Sequence, residues 1–107
     1  MESVYLLVSN DSYLLKQELN QLMHDASVKN YDHLFYDAYE TDIKDVIKEL
    51  RTVSLFDEGK VVVMTGIEGF AKLSDSDLKQ LTHYVQKPVE QTVFIMTANS
   101  LKELGNI

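Results

Sequence analysis

The 107-residue chain contains no cysteine, which excludes a disulfide framework and a thiolate metal site. Proline occurs once and glycine four times, and the sequence holds no internal repeat, low-complexity tract or flexible linker. No apolar run approaches the length that crosses a bilayer, and Met1-Glu2-Ser3 lacks the basic start of a signal peptide. These absences predict a cytoplasmic protein without a membrane partner, folded as a single domain over residues 1–107.

Basic residues are scarce as well. Ten Lys and Arg stand against seventeen Asp and Glu, the formal net charge is −7, and the basic residues form no run. Nucleic-acid binding depends on Lys and Arg that neutralise phosphates. We therefore predict that this domain does not grip DNA directly and meets it only through a larger assembly. Its own partners are expected to be proteins.

Apolar runs and helical periodicities alternate along the chain. Residues 4–8 form a continuous β-favouring run, a pattern typical of a strand covered on both faces. The clearest helical spacing, i, i+3, i+4 and i+7, is that of Ile43, Val46, Ile47 and Leu50. Strands are predicted at residues 4–8, 32–36, 60–65 and 92–97, and helices are predicted to begin near residues 13, 42 and 75.

Polar residues able to cap a helix precede each predicted helix. The turn 9–12 supplies the first cap, Thr41 or Asp42 the second, and Ser74 opens a Ser-x-x-acid capping box for the third. Pro88 is expected to end the third helix. The helix boundaries are therefore predicted from local chemistry as well as from periodicity.

The β-α-β-α-β-α-β order predicts an α/β fold. Such alternation favours a mainly parallel sheet in three layers, with helices on both faces. In sheets of this kind ligands bind at the carboxyl ends of the strands. The loops 9–12, 65–68 and 97–100 are expected to meet at that edge.

The residues expected at this edge do not suit nucleotide chemistry. A P-loop needs glycines that let amides wrap phosphates, a Lys for charge, and a Ser or Thr for magnesium. The turn after the first strand has no glycine and no Lys-Ser/Thr pair. Thr65 and Gly66 stand where a nucleotidase places a magnesium-binding carboxylate after the third strand. The sequence therefore predicts no ATP hydrolysis and no cofactor.

Other catalytic or metal-binding arrangements find little support. The three histidines have neither i, i+4 spacing nor an His-Glu-x-x-His pattern, and we interpret them as partly exposed surface residues. Four acids around the second helix start are interpreted as a solvated face placed favourably for the helix dipole. No serine has His and carboxylate partners that the sequence can place. The three histidines are His24, His33 and His83, and the four acids are Asp37, Glu40, Asp42 and Asp45.

An apolar pair stands in the loop before the third strand. Ser54 is followed by Leu55 and Phe56, and then by two acids. On residue type alone the pair fits core packing. It also fits a projecting apolar anchor framed by charge, as at many interface hot spots. Both interpretations stay open at this point.

The chain resembles the delta subunits of bacterial DNA polymerase III clamp loaders in the order and spacing of its segments. The strongest single match is Leu-Arg-Thr-x-x-Leu-Phe at residues 50–56. Ser9 is a departure, since many members have glycine there. The resemblance spans essentially the whole chain, and its other segments are residues 4–8, 13–15, 36–37, 60–64, 88 and 93–97.

This resemblance implies an N-terminal domain that is AAA+/P-loop-NTPase-like but lacks a functional nucleotide site. The family's clamp-binding element aligns with Ser54, Leu55 and Phe56, which implies that this domain binds and opens the ring-shaped sliding clamp. Family members are longer and continue into a helical lid and a C-terminal collar, so the chain is expected to be a fragment. The resemblance also implies that the protein is a component of the DNA polymerase III holoenzyme and a partner of the other clamp-loader subunits. It implies that the domain has no intrinsic enzyme activity.

Two alternatives remain at this level. A receiver-like phosphoacceptor domain shares the size, acidity and alternating strands, with Asn10-Asp11 imitating its acidic pair and Thr97 its switch threonine. It needs an Asp at the end of the third strand, where Thr65-Gly66 stands instead. Another non-hydrolysing, structural AAA+ subunit is the second alternative, and it predicts that Leu55 and Phe56 are buried.

Overall fold

A computed structural model describes residues 2–53 and 58–100 and shows one parallel sheet packed between helices. Two short 3-10 helices, Ala26–Val28 and Ile67–Lys72, were not predicted from the sequence. No helix in these described ranges is long and apolar enough to cross a membrane. The main elements are β1 (Val4–Val8), α1 (Ser12–Met23), β2 (Asp32–Asp37), α2 (Ile43–Arg51), β3 (Lys60–Thr65), α3 (Asp75–Gln86) and β4 (Thr92–Ala98).

The sheet order is β1-β4-β3-β2, and every neighbouring pair is parallel. One buried cluster packs α2 and α3 against one face of the sheet, and a second packs α1 against the other. The predicted three-layer α/β class is confirmed. The receiver alternative is wrong, because that fold places its first strand between the second and third, whereas here β1 is hydrogen-bonded to β4.

β1 differs from its prediction. Leu6 is 47% exposed and Val8 43% exposed, so the prediction that residues 4–8 are covered on both faces is wrong. Tyr5 and Leu7, on the alternate face, pack against the α1 cluster. The reason is position, because among the residues that the structure describes β1 lies at the edge of the sheet, with β4 as its one neighbouring strand. An apolar run predicts a strand but not its number of neighbours.

The helix caps follow the sequence closely. The side chain of Asp42 accepts a hydrogen bond from Lys44 N at 3.0 Å and begins α2. The Ser74 hydroxyl accepts from Asp77 N at 3.2 Å and begins α3, which ends at Gln86, two residues before Pro88. Each cap satisfies an amide that the first helical turn leaves without an intrahelical partner. The predicted starts of α2 and α3 are confirmed.

Tyr84 occupies the centre of the α2/α3 layer. It is fully buried, its ring meets Phe94 edge-on with centroids 6.1 Å apart, and the Arg51 guanidinium lies 5.6 Å from its ring centroid. Its hydroxyl accepts a hydrogen bond from Val89 N at 3.4 Å. Burial raises the pKa of this hydroxyl above the ordinary tyrosine value. The last helix, the last strand and the end of α2 therefore meet at one side chain.

The raised pKa of Tyr84 makes stability depend on alkaline pH. Above about pH 10 the unfolded tyrosine loses its proton while the folded one keeps it, so stability falls as pH rises through the folded pKa. We expect Tyr84→Phe to cost about 1 kcal/mol at pH 7, through the lost Val89 hydrogen bond, and to lose less stability than wild type between pH 9 and pH 11 or so. Urea unfolding at each pH measures both quantities, with Tyr13→Phe at an exposed position as control. Equal alkaline losses in Tyr84→Phe and wild type would contradict the expectation.

Candidate functional site

The turn after β1 satisfies its own backbone amides. Asp11 is the N-cap of α1, and its Oδ1 accepts hydrogen bonds from Tyr13 N at 2.9 Å and Leu14 N at 3.3 Å. The Ser9 hydroxyl in turn accepts from Asp11 N at 3.0 Å. The N-terminus of a helix is where a parallel α/β fold ordinarily receives phosphate. Here a carboxylate of the protein holds that position.

A second carboxylate, that of Glu68, accepts hydrogen bonds from the backbone amides that follow β4. Glu68 is only 9% exposed, and its Oε1 accepts hydrogen bonds from Asn99 N and from Ser100 N, the latter at 3.1 Å. Asp37, at the end of β2, accepts from Tyr39 N at 2.8 Å. The carboxyl edge of the sheet is therefore built around side-chain carboxylates that bind amides within the chain.

The three predicted loops do meet at this edge. They border a cleft of about 260 Å³ whose lining includes Ser12, Lys16, Thr65 and Asn99. Lys16 is the one cation among the described residues that line it. A nucleotide phosphate there would have to displace the Asp11 carboxylate from the α1 amides and would be repelled by it. The residues present do not fit a nucleotide.

The histidines and the acidic cluster also have ordinary surroundings. Nδ1 of His24 lies 2.7 Å from the Asn20 carbonyl oxygen, and His24 and His83 are exposed. His33 is half-buried on β2. Among residues 2–53 and 58–100, no group of three or more His, Cys, Asp or Glu is placed to hold a metal ion. Two of the four acids around the start of α2 accept hydrogen bonds from backbone amides, Asp37 from Tyr39 N and Asp42 from Lys44 N.

The predicted clamp-binding residues Ser54, Leu55 and Phe56 lie outside the described residues. The last described residue before this segment is Val53, and the first described residue after it is Glu58. Val53 is 68% exposed, which places an apolar side chain on the surface directly before the Ser-Leu-Phe segment. We call the residues that enter and leave this segment its two stems: Arg51 to Val53 and Glu58 to Lys60.

The entry stem is bonded to the end of α2. Thr52 donates from N to the Glu49 carbonyl at 3.2 Å, and from Oγ1 to the Lys48 carbonyl at 2.7 Å. Lys60, at the start of β3, is 6% exposed and donates from Nζ to the same Glu49 carbonyl. The Lys60 ammonium also lies 3.3 Å from the Glu49 carboxylate. A buried cation therefore joins the C-terminus of α2 to the first residue of β3. Its positive charge also interacts favourably with the negative end of the α2 dipole.

The exit stem is fixed by close packing. A side chain at Gly59 would place its Cβ 2.3 Å from the Gln91 carbonyl oxygen and 2.6 Å from the Tyr31 ring. That carbonyl accepts a hydrogen bond from Lys60 N at 3.1 Å, and the Gly59 carbonyl accepts from Asp32 N at 3.0 Å. There is no room here for any residue other than glycine. Both stems are thus held at defined positions at the amino edge of the sheet.

Sequence reasoning missed Lys60 and Gly59 as supports of this segment. Lys60 opens β3, and its sequence context gives no sign that the ammonium would be buried on a helix end. Gly59 follows a pair of acids, a context that predicts a turn but not the approach of Gln91 from a distant loop. The missing signal in both cases is a tertiary contact.

Comparison of the chain with known proteins identifies its family. The model for the DNA polymerase III delta subunit matches residues 5–105. No curated protein sequence matches the chain. Among solved structures, the chain is similar to the Bacillus subtilis DNA clamp loader delta protein (YqeN), with a TM-score of 0.76 and 21% sequence identity. That alignment covers 99% of this chain and 34% of the other, so the chain spans about a third of that protein. The chain belongs to the DNA polymerase III delta subunit family.

Proposed function

We propose that this chain is a clamp-loader domain that binds the ring-shaped sliding clamp through Ser54, Leu55 and Phe56. The observation that carries the proposal is the fixed pair of stems around residues 54–57. Thr52 is hydrogen-bonded to the end of α2 on the entry side, and Gly59 packs against Gln91 on the exit side. Stems that are already fixed lose little conformational entropy when the segment between them binds. A short apolar anchor carried between two fixed stems is well suited to fill a pocket on a partner.

The proposed anchor supplies the energy of association. Leu55 and Phe56 together could contribute about 3–6 kcal/mol from burial, before the cost of association is subtracted. Val53 extends the apolar surface by one exposed side chain on the entry stem. Charged residues surround the segment, with Arg51 before it and Asp57 and Glu58 after it. This is the usual arrangement of an apolar hot spot with a polar rim.

Opening of the ring follows from unequal affinity. A protein shifts an equilibrium between closed and open rings only by the difference between its affinities for the two states. We propose that the surface beside the anchor, at the end of α2, fits a clamp whose subunit interface is parted better than a closed clamp. No chemical step by this domain is needed, in agreement with a carboxyl edge whose amides are bonded to Asp11 and Glu68.

The wider assembly is part of the same proposal. We infer that residues 1–107 form one N-terminal, AAA+-like domain, and that the longer family protein supplies a helical lid and a collar. The other clamp-loader subunits and, through them, DNA and ATP would act on this domain from outside it. We further propose that it works in the cytoplasm as a component of the DNA polymerase III holoenzyme, without intrinsic enzyme activity or a cofactor.

Surface plasmon resonance with the cognate sliding clamp tests the proposal. We expect the immobilised 107-residue chain to bind the clamp, and to bind a clamp protomer that cannot close into a ring at least about tenfold more tightly, or 1.4 kcal/mol. Equal affinity for the ring and the protomer would leave clamp binding intact but overturn the opening role. Absence of binding to either form would overturn the proposed function.

A further inference from the structure

A groove runs between α1 and β2, on the side of the sheet away from α2 and α3. Its volume is about 640 Å³, and it is lined by residues from α1, from the turn that follows it and from β2. The lining residues on which the argument rests are Lys16, Leu19, Met23, Lys29, His33 and Phe35. We call this feature the α1–β2 groove. It shares no lining residue with the stems around residues 54–57.

The floor and wall of the α1–β2 groove are apolar. Met23 is buried and Leu19 half-buried on α1, whereas Phe35 on β2 is 61% exposed. Phe35 is exposed because β2 is an edge strand and α1 packs against the strands further in. An aromatic side chain that remains this exposed beside an apolar floor is typical of an interaction surface.

The charge of the α1–β2 groove is opposite to that of the chain. Its eight lining residues include two lysines and two histidines, and none of these described residues is acidic. The whole chain nevertheless carries a net charge of −7. Lys16 and Lys29 are exposed and form no ion pair among the described residues, where the two ion pairs present are Lys44–Asp77 and Lys60–Glu49. Their charges are available to a partner.

The backbone beside the α1–β2 groove is available too. β2 pairs with β3 on one side, and in the described ranges no strand pairs with its other side. An unpaired strand edge can take up an extended peptide, which places alternate side chains toward the flanking surface. His33 and Phe35 are the side chains of β2 that face the groove. Nε2 of His33 is buried there without a hydrogen-bond partner among the described residues.

We propose that the α1–β2 groove binds an extended acidic segment of a partner protein, with one apolar side chain of that segment packed against Phe35, Leu19 and Met23. Lys16 and Lys29 meet its carboxylates. A peptide suits the site better than nucleic acid. Single strands need a charged track with several stacking aromatics, whereas this groove offers one aromatic and two lysines on a chain with seven excess acids.

Fluorescence anisotropy with the 107-residue chain tests this inference. The probes are a labelled ten-residue peptide of aspartate and glutamate with one central phenylalanine, and a labelled ten-nucleotide oligothymidylate, both in low salt. We expect the peptide to bind and Lys16→Gln/Lys29→Gln to weaken it about fivefold to tenfold, since two exposed ion pairs are lost. Phe35→Ser should weaken it further, and 0.5 M salt or so should reduce the effect of the lysines.

The matched control is Lys79→Gln/Lys87→Gln. It removes the same two charges from exposed positions on α3 and its C-cap, across the sheet from the α1–β2 groove. We expect it to change peptide affinity less than twofold, and circular dichroism verifies that both double variants are folded. Three results would overturn the inference: equal weakening in the two double variants, binding of the oligothymidylate in preference to the peptide, or no binding of the peptide to the wild type. Clamp binding, measured separately, tells a failure here from a failure of the proposed function.

Discussion

Leu55→Ala/Phe56→Ala is expected to weaken binding of the chain to its cognate sliding clamp by at least about 2 kcal/mol, roughly thirtyfold, while the domain stays folded. The two side chains carry the apolar area of the proposed anchor, and their truncation removes most of the 3–6 kcal/mol or so that burial would supply. The loss should appear mainly as faster dissociation, because contacts within one interface act on the off-rate. Surface plasmon resonance measures it directly.

Stability should change little in this double variant if the pair is the proposed anchor. The described contacts of the stems are with Glu49, Gln91 and Tyr31, and the double variant leaves all three residues in place. Thermal melting by circular dichroism checks this point. If the double variant unfolds, the pair belongs to the core, and this result favours the structural AAA+ alternative over the proposed anchor.

Tyr13→Ala/Leu14→Ala is the matched control for this measurement. It also removes an aromatic side chain and a leucine at adjacent positions, and these two are 73% and 50% exposed at the start of α1. We expect it to leave clamp affinity within about twofold of wild type, because the pair lies at the carboxyl edge of the sheet, across the domain from the stems. A comparable loss in both double variants would show that clamp binding responds to general apolar exposure and not to the anchor.

Most of the fold could be predicted because its signals are local. The bounds of β1 and β3 were predicted without error, and those of β2 and β4 differ by one residue, as does the start of α1. Periodicity and capping residues depend on neighbours in the sequence, which the sequence itself supplies. The parallel three-layer class followed from the order of the elements. These are the parts of the structure in which local preference and tertiary packing agree.

What escaped prediction depends on residues that are distant in the chain. Leu6 and Val8 look as buried as the residues of β3, yet strand order places them at an edge. Glu68 reads as a surface acid, but it is buried because two amides beyond β4, more than thirty positions away, converge on it. The α1–β2 groove escaped for the same reason, since Lys16 and Phe35 meet only after the sheet forms.

The candidate site also has a part that could be predicted from the sequence and a part that could not. The missing glycines and lysine predict that the site lacks nucleotide chemistry, and the structure adds that Asp11 accepts hydrogen bonds from the amides of α1. The choice between anchor and core for Leu55 and Phe56 could not be made from residue types, which suit both. Support for the anchor comes from their neighbours: an exposed Val53, a buried Lys60 and a Gly59 without space for a side chain.

Gly59→Ala is expected to destabilise the chain by about 3 kcal/mol, the upper part of the range for forcing an atom into a packed site. The new Cβ would lie 2.3 Å from a backbone carbonyl oxygen, which cannot rotate away as a side chain could. The Gln91 loop would have to move, and its hydrogen bond from Lys60 N would be strained. Urea unfolding measures the change in the free energy of unfolding.

Gly69→Ala is the matched control for Gly59→Ala. Its nearest neighbour would lie 3.4 Å from the new Cβ, an ordinary contact with the Tyr39 ring, and its backbone does not need a positive φ. We expect this substitution to be neutral or to stabilise by about 0.5 kcal/mol, because alanine restricts the unfolded chain more than glycine does. Equal effects of the two substitutions would contradict the close approach at Gly59.

Clamp affinity should distinguish the two glycine variants as well. In Gly59→Ala the strain acts on the exit stem, so the residues at 54–57 would leave the sheet from a displaced position even in molecules that remain folded. We therefore expect weaker clamp binding by the folded fraction at low temperature, at least about threefold, whereas Gly69→Ala should bind as wild type does. Unchanged binding by folded Gly59→Ala would mean that the anchor tolerates movement of the exit stem, and that pre-organisation contributes little to its affinity.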